Sequence, residues 1–394
     1  MRSLIAKYAG KLHRDRSVVQ GRVGIAAHDD VMLSEGAPDL SRLAADVLSR
    51  LSCLGIVAAS PSLPFPEFLL RRTNAGAEAI VPLDTETRTF LHDIPIVRRG
   101  KLAGDPPGAI AALLSNRKGV IAEGVGIVAS GPVTLEQAYI HYSSVFHACY
   151  VKYLLDVLRD GFLLPGEAEA FGEFRRTFLR LLTAEGLSFR AGPIDAPEEV
   201  LAEIRAVGRH TVQRELVDSF FGNISWRVGE TIFISQTAAS LDELAGCIDP
   251  VPADNRSTTG ITASSELLAH RRIYEATGCR AILHGHPKFA VAMSMLCEEK
   301  ECPIKDCWKD CPNVRMLGGA PVVAGEIGAG GLAVRVPPVI GGTGKAIVYG
   351  HGVFATGRDG FEEAFRSMVD VENRCRGEYF RRLDARAGGQ SKSE

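Results

Sequence analysis

The sequence predicts an α/β fold that occurs twice along the chain. In both halves, amphipathic helical segments run into short apolar strands, which is the pattern of a sheet covered by helices. Residues 119–139 resemble residues 345–365, with seven identities in 21 aligned positions at an offset of 226 residues. Residues 55–61 (GIVAASP) and 281–287 (AILHGHP) share this offset. Two separate segments with one offset indicate an internal duplication.

Both halves are predicted to be mixed α/β. The helical segments DLSRLAADVLSRLSCL and ELLAHRRIYEATG each lead into a strand, GIVAA and AILHGH. The segment NISWRVGETIFIS predicts a β-hairpin, because apolar residues alternate around a turn at Val228-Gly229-Glu230. The glycine-broken stretches KGVIAEGVGIVA and KAIVYGHGVFAT predict buried strands, and a helix follows each of them. Residues 160–196 alternate between helix-sized pieces and Pro/Gly breaks and are expected to join the halves.

We therefore expect three parts in the chain. The first domain covers residues 1–165 and is truncated, because its start leaves no room for a counterpart of residues 201–262. The second domain covers residues 166–385. The tail, residues 386–394, is small and polar and is expected to be disordered.

Composition excludes several classes of protein. Of the 394 residues, 46% are hydrophobic and 23% charged, and the net charge is −2, so neither DNA nor RNA is an expected partner. No apolar run reaches the roughly 18 residues that would span a bilayer. The N-terminal residues 1–16 are basic but lack the apolar region of a secretion signal. A cytoplasmic protein that does not bind membranes is the expectation.

Three histidines form a candidate metal site. His284 and His286 flank Gly285 at the end of a predicted strand, where residues i and i+2 point to the same face. His351 lies in another glycine-flanked strand. Three imidazoles with an open fourth position are typical of catalytic rather than structural zinc. The alternative is that these are ordinary buried histidines, hydrogen-bonded within a core.

The first half lacks this set. At the offset of 226 residues, Ala58, Ser60 and Val125 take the places of the three histidines, although the surrounding Pro and Gly pattern is kept. The two halves share a scaffold, but only the second has the histidines. This difference favours a metal site in the second half.

The second half resembles the class II aldolase/adducin family, which includes fuculose-phosphate and rhamnulose-phosphate aldolases, an epimerase and a dehydratase. Five motifs carry the resemblance in the family's order: Gly222-Asn223-Ile224-Ser225, Ile234-Ser235-Gln236-Thr237-Ala238, Ser264-Ser265-Glu266, His284-Gly285-His286-Pro287 and Tyr349-Gly350-His351-Gly352. The resemblance implies an α/β/α sandwich around a mixed, mainly antiparallel sheet, present twice, with a degenerate first copy.

The resemblance also implies roles for individual residues. His284, His286 and His351 would hold Zn²⁺ or another divalent ion such as Mn²⁺, Co²⁺ or Fe²⁺. Glu266 would be the catalytic acid/base in chemistry that passes through a metal-stabilised enediolate, and the substrate would be a small hydroxy-carbonyl or sugar phosphate. The substrate phosphate would be bound by four polar residues: Asn223, Thr237, Ser264 and Ser265.

Local structure offers other interpretations of these polar residues. Glu266 could be a first-turn helix residue with Ser264 or Ser265 as its N-cap, and Asn223 could be a turn residue that begins the hairpin.

The sequence also departs from the family. The phosphate-binding turn has Gln236 and Ala238 where proline and glycine are usual, and residues 315–319 contain no tyrosine to act as proton donor. Aldol cleavage is the leading prediction, and epimerase or dehydratase chemistry stays open. A non-catalytic, adducin-like scaffold is the alternative function, although adducin-like members lack the metal histidines. Members assemble as rings, so a dimer of tandem chains or a larger ring is expected.

A cysteine-rich insert follows the histidine strand. Cys297, Cys302, Cys307 and Cys311 have the spacing C-x4-C-x4-C-x3-C. Four thiolates can bind a second zinc ion or an iron–sulfur cluster. The alternative is a polar surface loop whose thiols are incidental.

Overall fold

The computed structural model describes residues 1–218, 221–254, 256–299, 301–325 and 330–390, with side chains up to residue 386. The chain divides into two compact units, Met1–Arg180 and Leu181–Glu394, and the division falls within the segment predicted to join the halves. None of the described helices is both long enough and apolar enough to cross a membrane.

The first unit is built from short strands and helices that alternate along the chain. In order they are α1 (Arg2–Arg14), β1 (Val18–His28), β2 (Met32–Gly36), α2 (Pro38–Leu48), β3 (Gly55–Pro61), α3 (Phe65–Arg72), β4 (Ala79–Ile80), α4 (Thr85–Leu91), β5 (Ile94–Val97), α5 (Arg99–Leu102), α6 (Pro106–Leu114), β6 (Gly119–Ala122), β7 (Gly126–Gly131), α7 (Leu135–Asp160) and α8 (Glu167–Glu173). A π-helical turn, Phe174–Phe178, follows α8.

The second unit has the same kind of alternation. Its elements are α9 (Pro197–Gln213), β8 (Asn223–Val228), β9 (Thr231–Ser235), β10 (Ile248–Pro252), α10 (Leu267–Thr277), β11 (Ala281–Gly285), α11 (Lys288–Ser294), α12 (Cys307–Asp310), β12 (Arg315–Leu317), β13 (Ala320–Val323), α13 (Gly331–Arg335), α14 (Pro337–Ile340), β14 (Lys345–Val348), β15 (Gly352–Gly357) and α15 (Phe361–Gln390). The hairpin predicted around Val228-Gly229-Glu230 is β8–β9. Helix α15 continues five residues into the predicted tail, and residues 391–394 lie outside the described part of the chain.

The two sheets have matching topology. The first has the strand order β2-β1-β3-β7-β6-β5-β4 and the second β10-β9-β8-β11-β15-β14-β13-β12. Apart from the edge strand β10, each neighbour relation in one sheet has its counterpart in the other. In each sheet one pair is parallel, β5–β6 and β13–β14, and the other pairs are antiparallel. The prediction of an α/β fold with a mixed, mainly antiparallel sheet, present twice, is confirmed.

Strand register extends the sequence repeat. Gly55 pairs with Gly131 in the first sheet and Ala281 with Gly357 in the second, and both residues differ by 226. The parallel pairs Ile96–Ile121 and Val322–Ile347 keep the same offset, although no sequence similarity indicated β5 and β13. The repeat therefore covers more of the fold than its identities reveal.

Each sheet buries an apolar face under helices. In the second unit, Ile282, Val348 and Phe354 pack with side chains of α10, α13 and α14. The opposite face is covered by α11 and α15, which contact β14 and β15. The three layers are held together by apolar burial, the main favourable term in folding. This sandwich fixes the end of β11, where the candidate site begins.

Candidate metal centre and active site

The three predicted histidines converge in the second unit. His284 lies in β11, His286 directly after it, and His351 in the turn between β14 and β15. One ring nitrogen from each lies within 4.8 Å of the other two, and the Nε2 atoms of His284 and His286 are 3.0 Å apart. Tetrahedral zinc with Zn–N bonds near 2.0–2.1 Å separates its ligand nitrogens by about 3.3 Å. The imidazoles are therefore spaced as metal ligands.

The surroundings hold the rings in a metal-binding form. His284 Nδ1 donates to the carbonyl oxygen of Val353 at 3.0 Å, which leaves the Nε2 lone pair directed into the site. Burial lowers the pKa of His284 to about 4, so this imidazole is neutral at pH 7. Gly352 gives the rings their space, since a Cβ there would lie 2.8 Å from His286 Cδ2 and 2.9 Å from His284 Cε1. The aromatic rings of Phe354 and Phe221 stack on His284 and His286.

Glu266 faces the histidines from the start of α10. Its Oε1 lies 3.0 Å from His351 Nε2 and its Oε2 lies 3.5 Å from His284 Nε2. Burial alone would raise the pKa of this carboxyl, but His284, His351 and a hydrogen bond from Asn223 outweigh burial and hold it far below its usual value. In the structure Glu266 is itself the N-cap residue of α10, rather than a first-turn residue capped by Ser264 or Ser265, and its side chain makes no capping bond.

Asn223 links Glu266 to a residue that the sequence analysis did not select. Its Nδ2 donates to Glu266 Oε2 at 2.8 Å, and its Oδ1 lies 2.5 Å from His270 Nε2. His270, one helical turn after Glu266, is fully buried. The spacing Glu-x3-His on one helix face was the signal available in the sequence.

Residues 202–379 match the family described as the Class II Aldolase and Adducin N-terminal domain. This segment is therefore similar to the class II aldolase/adducin domains. No curated protein matches the chain.

Several solved structures resemble about half of the chain. L-fuculose-1-phosphate aldolase from Thermus thermophilus has 25% identity and a TM-score of 0.40, covering 48% of this chain and 97% of its own. A sugar-phosphate aldolase from Thermotoga maritima has 18% identity and a TM-score of 0.36, covering 48% and 96%. An aldolase II superfamily protein from Pseudomonas syringae has 19% identity and a TM-score of 0.34, covering 46% and 75%.

The other predicted substrate residues of the second unit lie in two adjoining segments. Thr237 Oγ1 donates to the carbonyl oxygen of Ala263 at 2.9 Å, and Ser264 N donates to the carbonyl oxygen of Ser235 at 3.0 Å. Ser264 Oγ accepts a bond from the Glu266 amide, whereas Ser265 is exposed. The structure therefore joins the Thr237 turn to the residues before Glu266 by hydrogen bonds.

The turn that contains Gln236 and Ala238 has a backbone conformation that favours glycine at position 238. Ala238 has φ +60, a left-handed conformation that is unfavourable for a residue with a Cβ by roughly 1–2 kcal/mol. We expect Ala238→Gly to stabilise the domain by about 0.5–1 kcal/mol in urea denaturation, after the greater flexibility of unfolded glycine is subtracted. Ala269→Gly, inside α10, is the control and should destabilise by about 1 kcal/mol. Destabilisation by both variants would contradict the prediction.

The first unit has no counterpart of this centre. In the strand register His284 pairs with Asn223, and the equivalent pair in the first unit is Ala58 and Gly24. A Cβ on Gly24 would lie 2.2 Å from the backbone carbon of Leu40, so α2 fills the space that the Asn223 side chain has in the second unit. The first unit therefore has Ala58, Ser60 and Val125 in place of the three histidines, and it also lacks a side chain at the position equivalent to Asn223.

The cysteine insert lies between β11 and β12. Cys297, Cys302, Cys307 and Cys311 are free thiols, and α12 begins at Cys307. Among the described residues, the histidine trio is the group whose ligand atoms are close enough to hold an ion. A second metal at the cysteines stays a prediction.

Proposed function

We propose that the second unit is a divalent-metal-dependent, aldolase-like lyase. The observation that carries this proposal is the convergence of three buried imidazoles on one point beside the Glu266 carboxylate. Catalytic zinc sites use three protein ligands and keep a position for water or substrate. A non-catalytic, adducin-like scaffold would not need three buried imidazoles beside a carboxylate. Apolar residues in their place would stabilise the fold at least as well.

The donor set suits the ion. Neutral imidazoles are good ligands for zinc and for iron, and Mn²⁺ or Co²⁺ would fit the same set once Glu266 adds an oxygen. When bound, the cation supplies Lewis-acid stabilisation of negative charge on a substrate oxygen. His284, His286 and His351 would hold it.

Glu266 is the acid/base in this proposal. Its carboxylate is ionised and buried, and it can take a proton from the carbon next to a substrate carbonyl and later return it. Phe221 and Phe354 stack on the imidazoles, and the three histidines are at most 2% exposed. Electrostatic interactions in such a buried site are stronger than in water.

The substrate is proposed to be a small hydroxy-carbonyl, with sugar phosphates as the leading class. The five motifs shared with the sugar-phosphate aldolases of the family support this class. Thr237, Ser264, Ser265 and Asn223 are the proposed phosphate contacts, although Asn223 is already bonded to Glu266. Cleavage of a ketose 1-phosphate releases dihydroxyacetone phosphate. Exchange of its hydroxymethyl proton in D₂O therefore tests the proton-transfer step alone. An epimerase or a dehydratase would carry out such a step on a different substrate.

Metal quantification tests the proposal. We expect about one divalent ion per chain at the histidine site in the purified protein, and less than a tenth of that in His351→Ala, because two imidazoles with a carboxylate bind far more weakly than three. His210→Ala is the matched control, since His210 belongs to the same unit and its Nε2 bonds to the carbonyl oxygen of Ser188. Wild-type protein without stoichiometric metal after growth in zinc, iron, manganese or cobalt would overturn the enzyme proposal and favour the scaffold.

The first unit is proposed to be a structural partner without chemistry of its own. Ala58, Ser60 and Val125 offer no metal ligand at the places of the three histidines. We propose a homo-oligomer, either a dimer of tandem chains or a larger ring. Sedimentation equilibrium tests this: a mass of one chain, 42.3 kDa, would contradict the oligomer.

We also propose that the cysteine insert binds a second zinc ion or an iron–sulfur cluster. The spacing C-x4-C-x4-C-x3-C supports this proposal. Burial, and then the charges of Cys311, Cys302 and Cys297, raises the pKa of the Cys307 thiol. Metal bound there would persist in His351→Ala and disappear in Cys302→Ser/Cys307→Ser. Absorbance at visible wavelengths would distinguish a cluster from zinc.

A further inference from the structure

A chain of buried hydrogen bonds runs from Glu266 away from the metal ligands. Asn223 Nδ2 donates to Glu266 Oε2 at 2.8 Å, and Asn223 Oδ1 meets His270 Nε2 at 2.5 Å. On the far side of the ring, His270 Nδ1 meets Ser225 Oγ at 2.6 Å. Ser225 Oγ lies 2.7 Å from the Tyr274 hydroxyl, whose single hydrogen can be shared between Ser225 Oγ and, at the longer distance of 3.3 Å, the carbonyl oxygen of Arg280. The chain thus ends at Tyr274, beside a backbone carbonyl.

Two regular elements place these residues in line. Asn223 and Ser225 are two positions apart on β8 and point to the same face of the sheet. Glu266, His270 and Tyr274 are four positions apart at the start of and along α10, so they form one stripe on the helix. Asn223, Ser225, His270 and Tyr274 are at most 5% exposed. Water therefore cannot replace a missing partner, and each bond must be satisfied within the chain.

The orientation of the Asn223 amide determines the direction of the other bonds. Its N–H donates to Glu266 Oε2, so its oxygen faces His270 and can only accept there. His270 must then donate from Nε2. Burial lowers the pKa of His270 to about 3, so the ring is neutral and its Nδ1 can only accept. Ser225 therefore donates to His270, and its oxygen accepts from Tyr274.

We propose that His270 is a positioning residue for the reaction, which as a neutral Nε2–H tautomer fixes the Asn223 amide and thereby the orientation of the Glu266 carboxylate. A rotated Asn223 would place its oxygen against the carboxylate, and His270 excludes that rotamer because its donor needs an acceptor. Ser225 and Tyr274 fix the tautomer in turn. This inference rests on the proposed acid/base role of Glu266.

The tautomer can be measured without any substrate. In protein labelled with ¹⁵N-histidine, the His270 ring is expected to show a protonated Nε2 and an unprotonated Nδ1 at neutral pH, with assignment by loss of the signals in His270→Gln. A protonated Nδ1, or an imidazolium under these conditions, would overturn the proposed bond directions. This outcome does not depend on whether the domain is an enzyme.

Kinetics test the positioning role. With dihydroxyacetone phosphate in D₂O, His270→Leu is expected to lower the exchange kcat by roughly 10–100-fold, with KM and metal content little changed, as for other groups that orient a site residue. His270→Gln should recover most of the rate, because its side-chain amide can donate to Asn223 and accept from Ser225. Ser225→Ala leaves His270 in place and should give an intermediate loss.

The outcomes separate this inference from the proposed function. If Glu266→Gln abolishes exchange while His270→Leu, folded and metal-loaded, keeps the wild-type kcat, the positioning role is overturned and the function stands. If Glu266→Gln is as active as the wild type, the proposed function fails, whatever the His270 variants do. If His270→Leu does not fold, failure of His270→Gln to exceed the rate of Ser225→Ala would also overturn the inference.

Discussion

Replacing Glu266 by Gln is expected to slow proton exchange on dihydroxyacetone phosphate by roughly 10²–10⁴-fold, the range typical of a lost general base. Glutamine has nearly the same shape and can stay beside Asn223 and His351, but its amide cannot take up a proton at neutral pH. The metal should stay bound, because the three imidazoles are untouched. The measurement combines exchange by ¹H NMR with metal content on the same sample.

The control for this variant lies on the same helix. Glu275→Gln changes a carboxylate whose side chain is 62% exposed and whose partner is Arg272. This variant should leave the exchange rate within about a factor of two of the wild type. A Glu266→Gln protein that retains its metal and exchanges protons as fast as Glu275→Gln would remove Glu266 from the acid/base role. Loss of exchange together with loss of metal would instead identify Glu266 as an essential ligand.

The proposed metal ligands could be predicted from the sequence because metal binding depends on the type of residue. Histidines at positions i and i+2 of a strand must share a face, and the repeat showed Ala58 and Ser60 in the equivalent places. The fold was predictable for a related reason, since helix and strand periodicities repeat in both halves.

The role of Asn223 could not be predicted from the sequence alone. Its amide can bind phosphate or a carboxylate, and the choice depends on how far β8 lies from α10, which is set by packing across the sheet. His270 was missed because a histidine on an apolar helix face is most often a core residue, and its contacts with Asn223 and Ser225 bring together residues 47 and 45 positions apart. The role of Glu266 was predicted from the family resemblance, whereas local signals alone favoured an ordinary residue in the first turn of a helix.

The buried ion pair of the first unit allows a separate prediction about stability. Arg72 Nε lies 2.6 Å and Nη2 2.9 Å from the two oxygens of Glu167, and their side chains are 6% and 0% exposed. Glu167 also accepts from the amides of Leu163 and Leu164, and Arg72 donates to the carbonyl oxygen of Gly161. The pair therefore joins the end of α3 to the segment between α7 and α8.

Glu167→Gln is expected to destabilise the first unit by about 3–5 kcal/mol, because Arg72 would be left buried without its counter-charge. Total stabilities of domains are about 5–15 kcal/mol, so the effect should be large. Hydrogen exchange of α7 peptides in urea reports on this unit. Tryptophan fluorescence reports on the other, since Trp226 and Trp308 both lie there. Glu35→Gln, whose partner Arg2 is 73% exposed, is the control and should change stability by less than about 1 kcal/mol.

The pH dependence of this effect has a definite sign. Burial opposes ionisation of Glu167, but Arg72 and the amides of Leu164 and Leu163 outweigh it, so the pKa in the folded state is lowered. The stabilising contribution is complete above the unfolded pKa of about 4.3 and is lost as the pH falls toward the folded value. The difference between wild type and Glu167→Gln should therefore be constant from about pH 8 to 5 and shrink below about pH 4. A difference that stays constant throughout the acidic range would mean that glutamine disrupts packing around Arg72 rather than removing a charge.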